Sequence, residues 1–486
     1  MDVVDVAIIG CGIVGAAVAF ELAQYETTVE VIEKENDVAM GTTRANSAIL
    51  HAGYDPLPGT LMARLNVEGL DIAKELCAKL NVPLYECGSL VIAFTKDEAD
   101  ELRRLHDRGL QNGVKGMRML SRDETLGLEP KLNGSTVAAL LAPSAAIVNP
   151  WEYALALAEN AVINGVEICF DSEVGGIDKF AEGYVIHTPS RTVTARYVVN
   201  AAGLNAERIH NYVARPDFST IPDRGEYYLL DKSEGGCVKH IVFQCPTRAG
   251  KGTLVAPTVH GNLIVGPNNE MPEDFFDTAT TRDGLAHVAR MALKSVPSLN
   301  LKESIRTFAG VRAALDLDDF VVQEAEGAPG FIDLAGIKSP GLTAAPAIAK
   351  MTVSLLRKCG FKAAPKSKWS VFPRPAHFRE MSLDEKRQLL EREPSYGRVI
   401  CRCETVTEGE IERALRSPIP PRSIDGVKRR CSAGMGRCQG GFCSPRVLEL
   451  LARHYRVPLD RIPQDRNRMY VLAGETKAGE FVSCTI

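Results

Sequence analysis

Apolar residues along this chain fall into two rhythms. One is a run of short, nearly unbroken apolar blocks bounded by glycine. From Val4 to Ile9 the block is β-branched and predicts a buried strand; Val14 to Gln24 predicts a helix, and Thr28 to Glu33 a second strand. The same texture returns at Tyr197-Val198-Val199-Asn200-Ala201-Ala202-Gly203. It returns again at a strand from Gly330 to Leu334, followed by a Gly/Pro turn and an apolar helix from Ala344 to Leu356. The other rhythm is β-like and less uniform, as in Gly225-Glu226-Tyr227-Tyr228-Leu229-Leu230 and Thr253-Leu254-Val255-Ala256-Pro257.

Between the first two strands stands Gly10-Cys11-Gly12-Ile13-Val14-Gly15. The first glycine permits a tight turn, the second lets backbone approach a pyrophosphate, and the third lets helix and strand pack closely. The helix start offers free N–H groups to phosphates. Glu33 closes the second strand, where a carboxylate accepts hydrogen bonds from ribose hydroxyls. Strand, glycines, helix and acid in register predict a dinucleotide site. The fold class is therefore α/β. A Rossmann-like nucleotide-binding domain is assembled from about 1–80, 146–214 and 301–360, and a β-rich substrate domain from about 81–145 and 215–300 is interleaved with it. Residues 361–397 hold four prolines and a charged helical stretch from Leu383 to Glu393, the composition of a linker. A small, mostly helical module follows at 398–460, then a tail at 461–486 with one strand expected around Met469 to Leu472.

The length, 486 residues, suits two or three folding units. A net charge of −4 gives no general reason to expect nucleic acid or an anionic membrane as partner. A charged substrate must then be met by a local site. The apolar start lacks the basic flank of a signal segment, having Asp2 and Asp5 instead, and Glu21 closes it too early for a membrane span. The expectation is a cytoplasmic protein, at most peripheral to a membrane through a partner. Five of the thirteen cysteines (Cys401, Cys403, Cys431, Cys438 and Cys443) fall within 43 residues, which in a reducing compartment points to metal or redox chemistry.

Gly41-Thr42-Thr43-Arg44-Ala45-Asn46-Ser47 is rich in small hydrogen-bonding residues, suited to wrapping the diphosphate of an extended cofactor. Gly336-Ile337-Lys338-Ser339-Pro340-Gly341-Leu342-Thr343 supplies a second helix N-terminus, suited to negative charge on a reduced flavin. Its plain alternative is a capped αβ turn. Cys401-Arg402-Cys403 and Cys438-Gln439-Gly440-Gly441-Phe442-Cys443 are two close pairs that together supply four thiolates. Spacing alone fits zinc and [2Fe–2S] equally; an electron carrier beside a flavin has an evident role, which favours the cluster. Glycines at 434, 436, 440 and 441 and a helix beginning near Pro445 suit an anionic group.

These stretches, with Asn46-Ser47-Ala48-Ile49-Leu50-His51-Ala52-Gly53-Tyr54, Ala309-Gly310-Val311-Arg312 and Ser339 to Ala347, resemble the FAD-dependent oxidoreductases of the D-amino-acid oxidase/glycerol-3-phosphate dehydrogenase superfamily. Within it the chain looks most like the FAD subunit of the anaerobic, multisubunit glycerol-3-phosphate dehydrogenases, with L-2-hydroxyglutarate oxidases as close cousins. The C-terminal stretch resembles the bacterioferritin-associated-ferredoxin-like [2Fe–2S] domain. The first resemblance implies FAD, a small anionic substrate and cofactor contacts that include Ala202 and Gly203. It also implies that Arg312 faces the substrate and that His51 points toward the flavin, as base or as cofactor ligand. The second implies Cys401, Cys403, Cys438 and Cys443 as ligands, with Cys431 a bystander. Tyr54, Tyr227 and Lys251 are further pocket candidates, Lys251 being equally a solvated loop lysine. The plain alternative for Arg312 is a surface residue paired with Asp316 or Asp318. The expected reaction is oxidation of sn-glycerol 3-phosphate to dihydroxyacetone phosphate, with electrons passing through the cluster to a partner subunit. The alternatives are a 2-hydroxyacid or opine (amine) dehydrogenase, a non-catalytic electron-transfer subunit, and a cluster-based sensor or scaffold.

Overall fold

The computed structural model describes residues 3–246, 252–474 and 476. The chain forms two compact units: residues 35–37 belong with those from 375 onward, and the rest up to 374 form the larger unit.

The larger unit holds two sheets. In the first, Glu167–Cys169, Val29–Ile32, Val3–Ile9, Thr192–Asn200 and Phe331–Ala335 lie side by side, all parallel. Val29–Ile32 is buried along its whole length, as a strand covered on both faces must be. Gly176–Phe180 and Gly183–His187 form an antiparallel ribbon that extends the sheet from the start of Thr192–Asn200. Helix Ile13–Leu22 is apolar all round and buried accordingly. It packs between helices Pro150–Ile163 and Gly341–Lys358. Strands and helices thus stand where the apolar blocks predict them, within a few residues.

The second sheet has eight strands in the order 304–315, 220–230, 263–266, 254–257, 241–244, 89–93, 138–142, 118–121. All its pairs are antiparallel except 241–244 with 89–93. Ser304–Leu315 belongs here, although the texture placed its segment in the nucleotide domain. It pairs along its length with Thr220–Leu230, from Thr220 opposite Leu315 to Leu230 opposite Ser304, and that ladder outweighs the local pattern.

The start of the expected linker is strapped to the larger unit. Glu26 N–H donates to the Ala364 carbonyl at 2.8 Å, Phe372 N–H to Asn160 Oδ1 at 2.7 Å, and Asn81 Nδ2 to the Arg374 carbonyl at 2.8 Å. The smaller unit carries the charged helix Leu383–Arg392, a hairpin of Val399–Cys401 with Val406–Thr407, and helices Glu408–Leu415, Ile424–Cys431 and Ser444–Tyr455. Ile411, Val427 and Leu451, all fully buried, centre its core. The strand expected around Met469 reduces to one isolated bridge between Pro463 and Tyr470, because Met469, Tyr470 and Val471 stay exposed and have no sheet to join. No described helix is long and apolar enough to cross a membrane.

Inside the smaller unit Asp37 is buried and takes hydrogen bonds from two guanidinium groups. Arg430 donates through Nη1 (2.9 Å) and Nη2 (2.8 Å), and Arg429 through Nη2 (2.9 Å). Arg429 also reaches Asp465 at 2.7 Å. Burial opposes the Asp37 charge, but Arg430 and Arg429 outweigh it and hold the carboxyl at about 2. A carboxyl lowered in the folded state adds stability that is present above its unfolded value of about 3.9. That stability, roughly 2–3 kcal/mol, is expected to fall away as pH drops from ~4 toward ~2. Asp37→Ala removes the carboxylate that two buried guanidinium groups share, leaving Arg429 with Asp465 alone, and is expected to cost ~3–5 kcal/mol. Thermal unfolding at pH 7 and pH 3 checks both, and an Asp37→Ala variant with the parent's Tm at pH 7 would refute the account.

Candidate active site and thiol cluster

The glycine turn sits at the carboxyl ends of the parallel strands, the position at which such sheets bind ligands. Gly10 has φ +99°, and a Cβ there would lie 2.6 Å from the Ala201 carbonyl oxygen. A Cβ on Gly15 would lie 2.0 Å from the Gly10 carbonyl oxygen. Both positions therefore exclude any side chain. Gly12 caps the helix with no side-chain hydrogen bond, so the first turn points its amides outward. Glu33 Oε2 accepts from Cys11 N–H at 2.6 Å, which fixes the carboxylate against the turn.

Residues 41–47 join the turn to the second sheet. Thr43 Oγ1 accepts from Ile13 N–H at 3.0 Å, and Thr42 Oγ1 donates to the Val311 carbonyl at 2.7 Å. Gly310 lies so close to Ala45 that a Cβ would meet its carbonyl oxygen at 2.0 Å. Asn46 folds the loop on itself, donating to the Thr43 carbonyl at 2.9 Å and accepting from Ala48 N–H at 2.8 Å. The Arg44 carbonyl accepts from the Trp151 indole at 2.9 Å. Ala202 and Gly203 follow the Asn200 strand end, which Asp333 anchors through Asn200 Nδ2 at 2.7 Å. Asp333 in turn meets buried His210 at 2.7 Å.

The late segment turns at Gly336 (φ +67°) and enters the helix at Gly341. There Thr343 Oγ1 accepts from His51 N–H at 2.9 Å, and Asn66 Nδ2 donates to the His51 carbonyl at 2.9 Å. His51, Tyr54, Asn66 and Pro340 line one recess, so the segments around 50 and 340 do converge. Ser339 and Leu342 are half-buried beside them.

Arg312 pairs with Asp223, its neighbour across the strand register, and with neither Asp316 nor Asp318. It also donates to Asn269 Oδ1 at 2.8 Å and to the Asn268 carbonyl at 3.0 Å. Tyr227 hydrogen-bonds both Arg312 and Ser47 and stacks on Phe308 at 4.8 Å. Burial raises the Asp223 carboxyl even against Arg312 and Lys338. Burial also raises both phenols, Tyr54 well beyond the ordinary range. Tyr54 sits in the apolar core as well as at the recess. Lys251 lies outside the described residues. Asp223, Asn66 and Asn268 went unread in the sequence.

In the smaller unit the four cysteines converge in two pairs. Cys403 and Cys438 sulfurs stand 3.7 Å apart, and the Cys443 thiol donates to Cys401. Two thiolates on one tetrahedral metal at ~2.3 Å are separated by ~3.8 Å, so the spacing fits shared ligation. Amides of Gly434 and Glu404 donate to the Cys401 sulfur, and those of Phe442 and Gly440 to Cys438. The Cys443 hydrogen bond, with the two amides, draws Cys401 below the ordinary thiol range; the Phe442 amide chiefly lowers Cys438. Cys443 caps helix Ser444–Tyr455, whose positive end faces the thiols. Cys431 is buried, donates to the Val427 carbonyl at 3.2 Å, and is pushed up to about 12 by burial.

Residues 5–355 match the FAD dependent oxidoreductase family, and residues 399–453 the BFD-like [2Fe-2S] binding domain. A glycerol 3-phosphate dehydrogenase of Caloramator mitchellensis is 48% identical over 98% of this chain and 99% of its own length. The structure of dithionite-reduced L-alpha-glycerophosphate oxidase from Mycoplasma pneumoniae, with FAD bound, superposes with a TM-score of 0.73 at 34% identity. It covers 76% of this chain and 98% of that one. A mitochondrial L-2-hydroxyglutarate dehydrogenase of Mus musculus is 30% identical, over 71% of this chain and 86% of its own.

Gly15→Ala is expected to push the helix off the turn, abolishing flavin retention through purification and lowering Tm; absorbance near 450 nm reads this out. Serine at Cys401, Cys403, Cys438 or Cys443 is expected to lose iron and sulfide while keeping flavin, whereas Cys431→Ser keeps all three.

Proposed function

This chain belongs to the FAD dependent oxidoreductase family and carries a [2Fe–2S] domain, and from that premise we propose that it oxidises sn-glycerol 3-phosphate to dihydroxyacetone phosphate. The enzyme is an FAD-dependent dehydrogenase acting on an alcohol carbon. FAD, when bound, accepts hydride from that carbon. The observation that carries the substrate is the 48% identity to a glycerol 3-phosphate dehydrogenase along both units. The relative with an oxidase's name matches only 76% of the chain with nearly its whole length. A module beyond that length, built to hold four thiolates, has use in a dehydrogenase that hands electrons to a partner subunit instead of to O₂.

The residues take these proposed roles. Gly10, Gly12, Gly15, Glu33, Thr42, Thr43, Arg44, Asn46, Ser47, Ala202 and Gly203 hold the dinucleotide. The turn at Gly336, Ser339, Gly341, Leu342 and Thr343 faces the reducible ring with a helix N-terminus. Arg312, held in place by Asp223 and Asn269, meets the anionic handle. Tyr227 orders that guanidinium from beside Ser47. His51 takes the hydroxyl proton. Tyr54 and Tyr227 are poor bases, because burial keeps both phenols protonated.

A second reading, oxidation of a 2-hydroxyacid, is favoured by one observation. Asp223 already neutralises Arg312, which suits a monoanionic carboxylate better than a phosphate dianion. Anaerobic stopped-flow separates them. Glycerol 3-phosphate is expected to bleach the flavin, and L-2-hydroxyglutarate to do so at least ~100-fold less efficiently, as for a site that lacks the matching group. Bleaching by the hydroxyacid alone would reject the assignment. Arg312→Ala is expected to raise KM ~100-fold with a smaller loss in kcat. His51→Gln is expected to slow flavin reduction ~10²- to 10⁴-fold while FAD stays bound.

A further inference from the structure

We propose that the face of the smaller unit around Cys403 and Phe442 is a docking surface for an acidic one-electron carrier protein. The proposal rests on the reading above, in which electrons leave through the sulfur-held cluster. Cys401 and Cys443 are 1% and 2% exposed, Cys403 is exposed and Cys438 half-buried, so the thiol site opens to one side only. Phe442 stands at that opening. Its amide donates to the Cys438 sulfur, which fixes the backbone, yet its ring is 81% exposed, the highest value for a large apolar side chain among the described residues. A ring left in water beside a redox site is surface for a partner to cover.

The segment that carries the thiols and Phe442 exposes mainly basic side chains. From Arg398 to Arg446, six arginines are exposed (398, 402, 416, 422, 437 and 446), and none of the five acids is. Glu404, Glu408 and Glu410 are buried, and Glu412 and Asp425 are half-buried. Arg446 pairs with the exposed Glu449 just beyond. Residues 375–486 carry 20 Lys and Arg against 15 Asp and Glu, in a chain whose net charge is −4. An acidic partner would be steered to this unit, and a basic one repelled.

The stoichiometry fits such a partner. Alcohol oxidation releases two electrons and two protons. Two oxidised carriers take one electron each and become reduced, and the protons pass to solvent. An anionic lipid surface matches the charge equally but accepts no electron, so the open thiol face favours the protein.

The test uses the holoenzyme with a plant-type acidic [2Fe–2S] ferredoxin, basic cytochrome c, and phosphatidylserine vesicles. Calorimetry is expected to find ferredoxin binding that weakens ~10-fold or more between ~20 and ~200 mM salt, with cytochrome c binding weaker. Arg402→Glu combined with Arg446→Glu is expected to weaken it a further ~10-fold, with the rate of flavin bleaching by substrate unchanged. Phe442→Ser is expected to weaken it similarly, with iron content and visible spectrum retained. Equal affinity for both carriers, indifference to the Arg and Phe variants, or binding to vesicles alone would overturn the docking surface. Substrate that bleaches the flavin and leaves the cluster oxidised would instead overturn the exit route on which the surface rests.

Discussion

Everything at the candidate active site depends on one close contact, that of residues 41–47 with both sheets of the larger unit. Thr43 takes a hydrogen bond from the first turn of the Ile13 helix, and Thr42 gives one to Val311, next to Arg312. Gly310 and Ala45 touch so closely that no side chain fits at 310. The loop therefore fixes the distance from the glycine turn to the strand that bears Arg312. A dehydrogenase needs that fixed distance, because a substrate carbon held about an ångström out of place loses orders of magnitude in rate.

Around this contact, burial decides which groups carry charge. Tyr54 and Tyr227 are buried, and the cost of a buried phenolate keeps both neutral. Asp223 is raised by the same effect yet lies against the Arg312 guanidinium. The guanidinium thus comes with its own weak counter-ion. An anion arriving at Arg312 would share or displace Asp223, so this pair bears on discrimination between a carboxylate group and a phosphate dianion.

Legibility in the sequence followed the range of the interaction. The glycine turn, its flanking strands and helix, and the paired cysteines are local patterns readable from the sequence, although cysteine spacing alone left zinc and [2Fe–2S] open. His51 and Thr343 lie 292 residues apart, and only the shared family texture brought their segments into one argument. Asp223 could not be matched with Arg312, because the partnership is set by strand register across the second sheet. Local composition offered Asp316 and Asp318 instead. Ser304–Leu315 failed for the same reason: its sheet is chosen by a partner strand about 80 residues upstream.

The two units solve opposite electrostatic problems. On the proposed reading, the larger receives an anionic substrate in a partly neutralised pocket. The smaller has to draw thiols toward their anionic form, and it does so at Cys401 and Cys438 with a thiol hydrogen bond from Cys443 and with backbone amides. Amides of Gly434, Glu404, Gly440 and Phe442 point at sulfur, and a helix N-terminus stands behind Cys443. Backbone donors leave the side chains of this region free for other work. Glu404, Glu408 and Glu410 turn inward to structural partners, such as Arg379 for Glu404 and Arg398 for Glu408. Arginines remain on the outside. The basic surface is thus a consequence of where the acids are needed, and the exposed ring of Phe442, which neither the thiols nor the core requires, is the one element of this face that folding leaves unexplained.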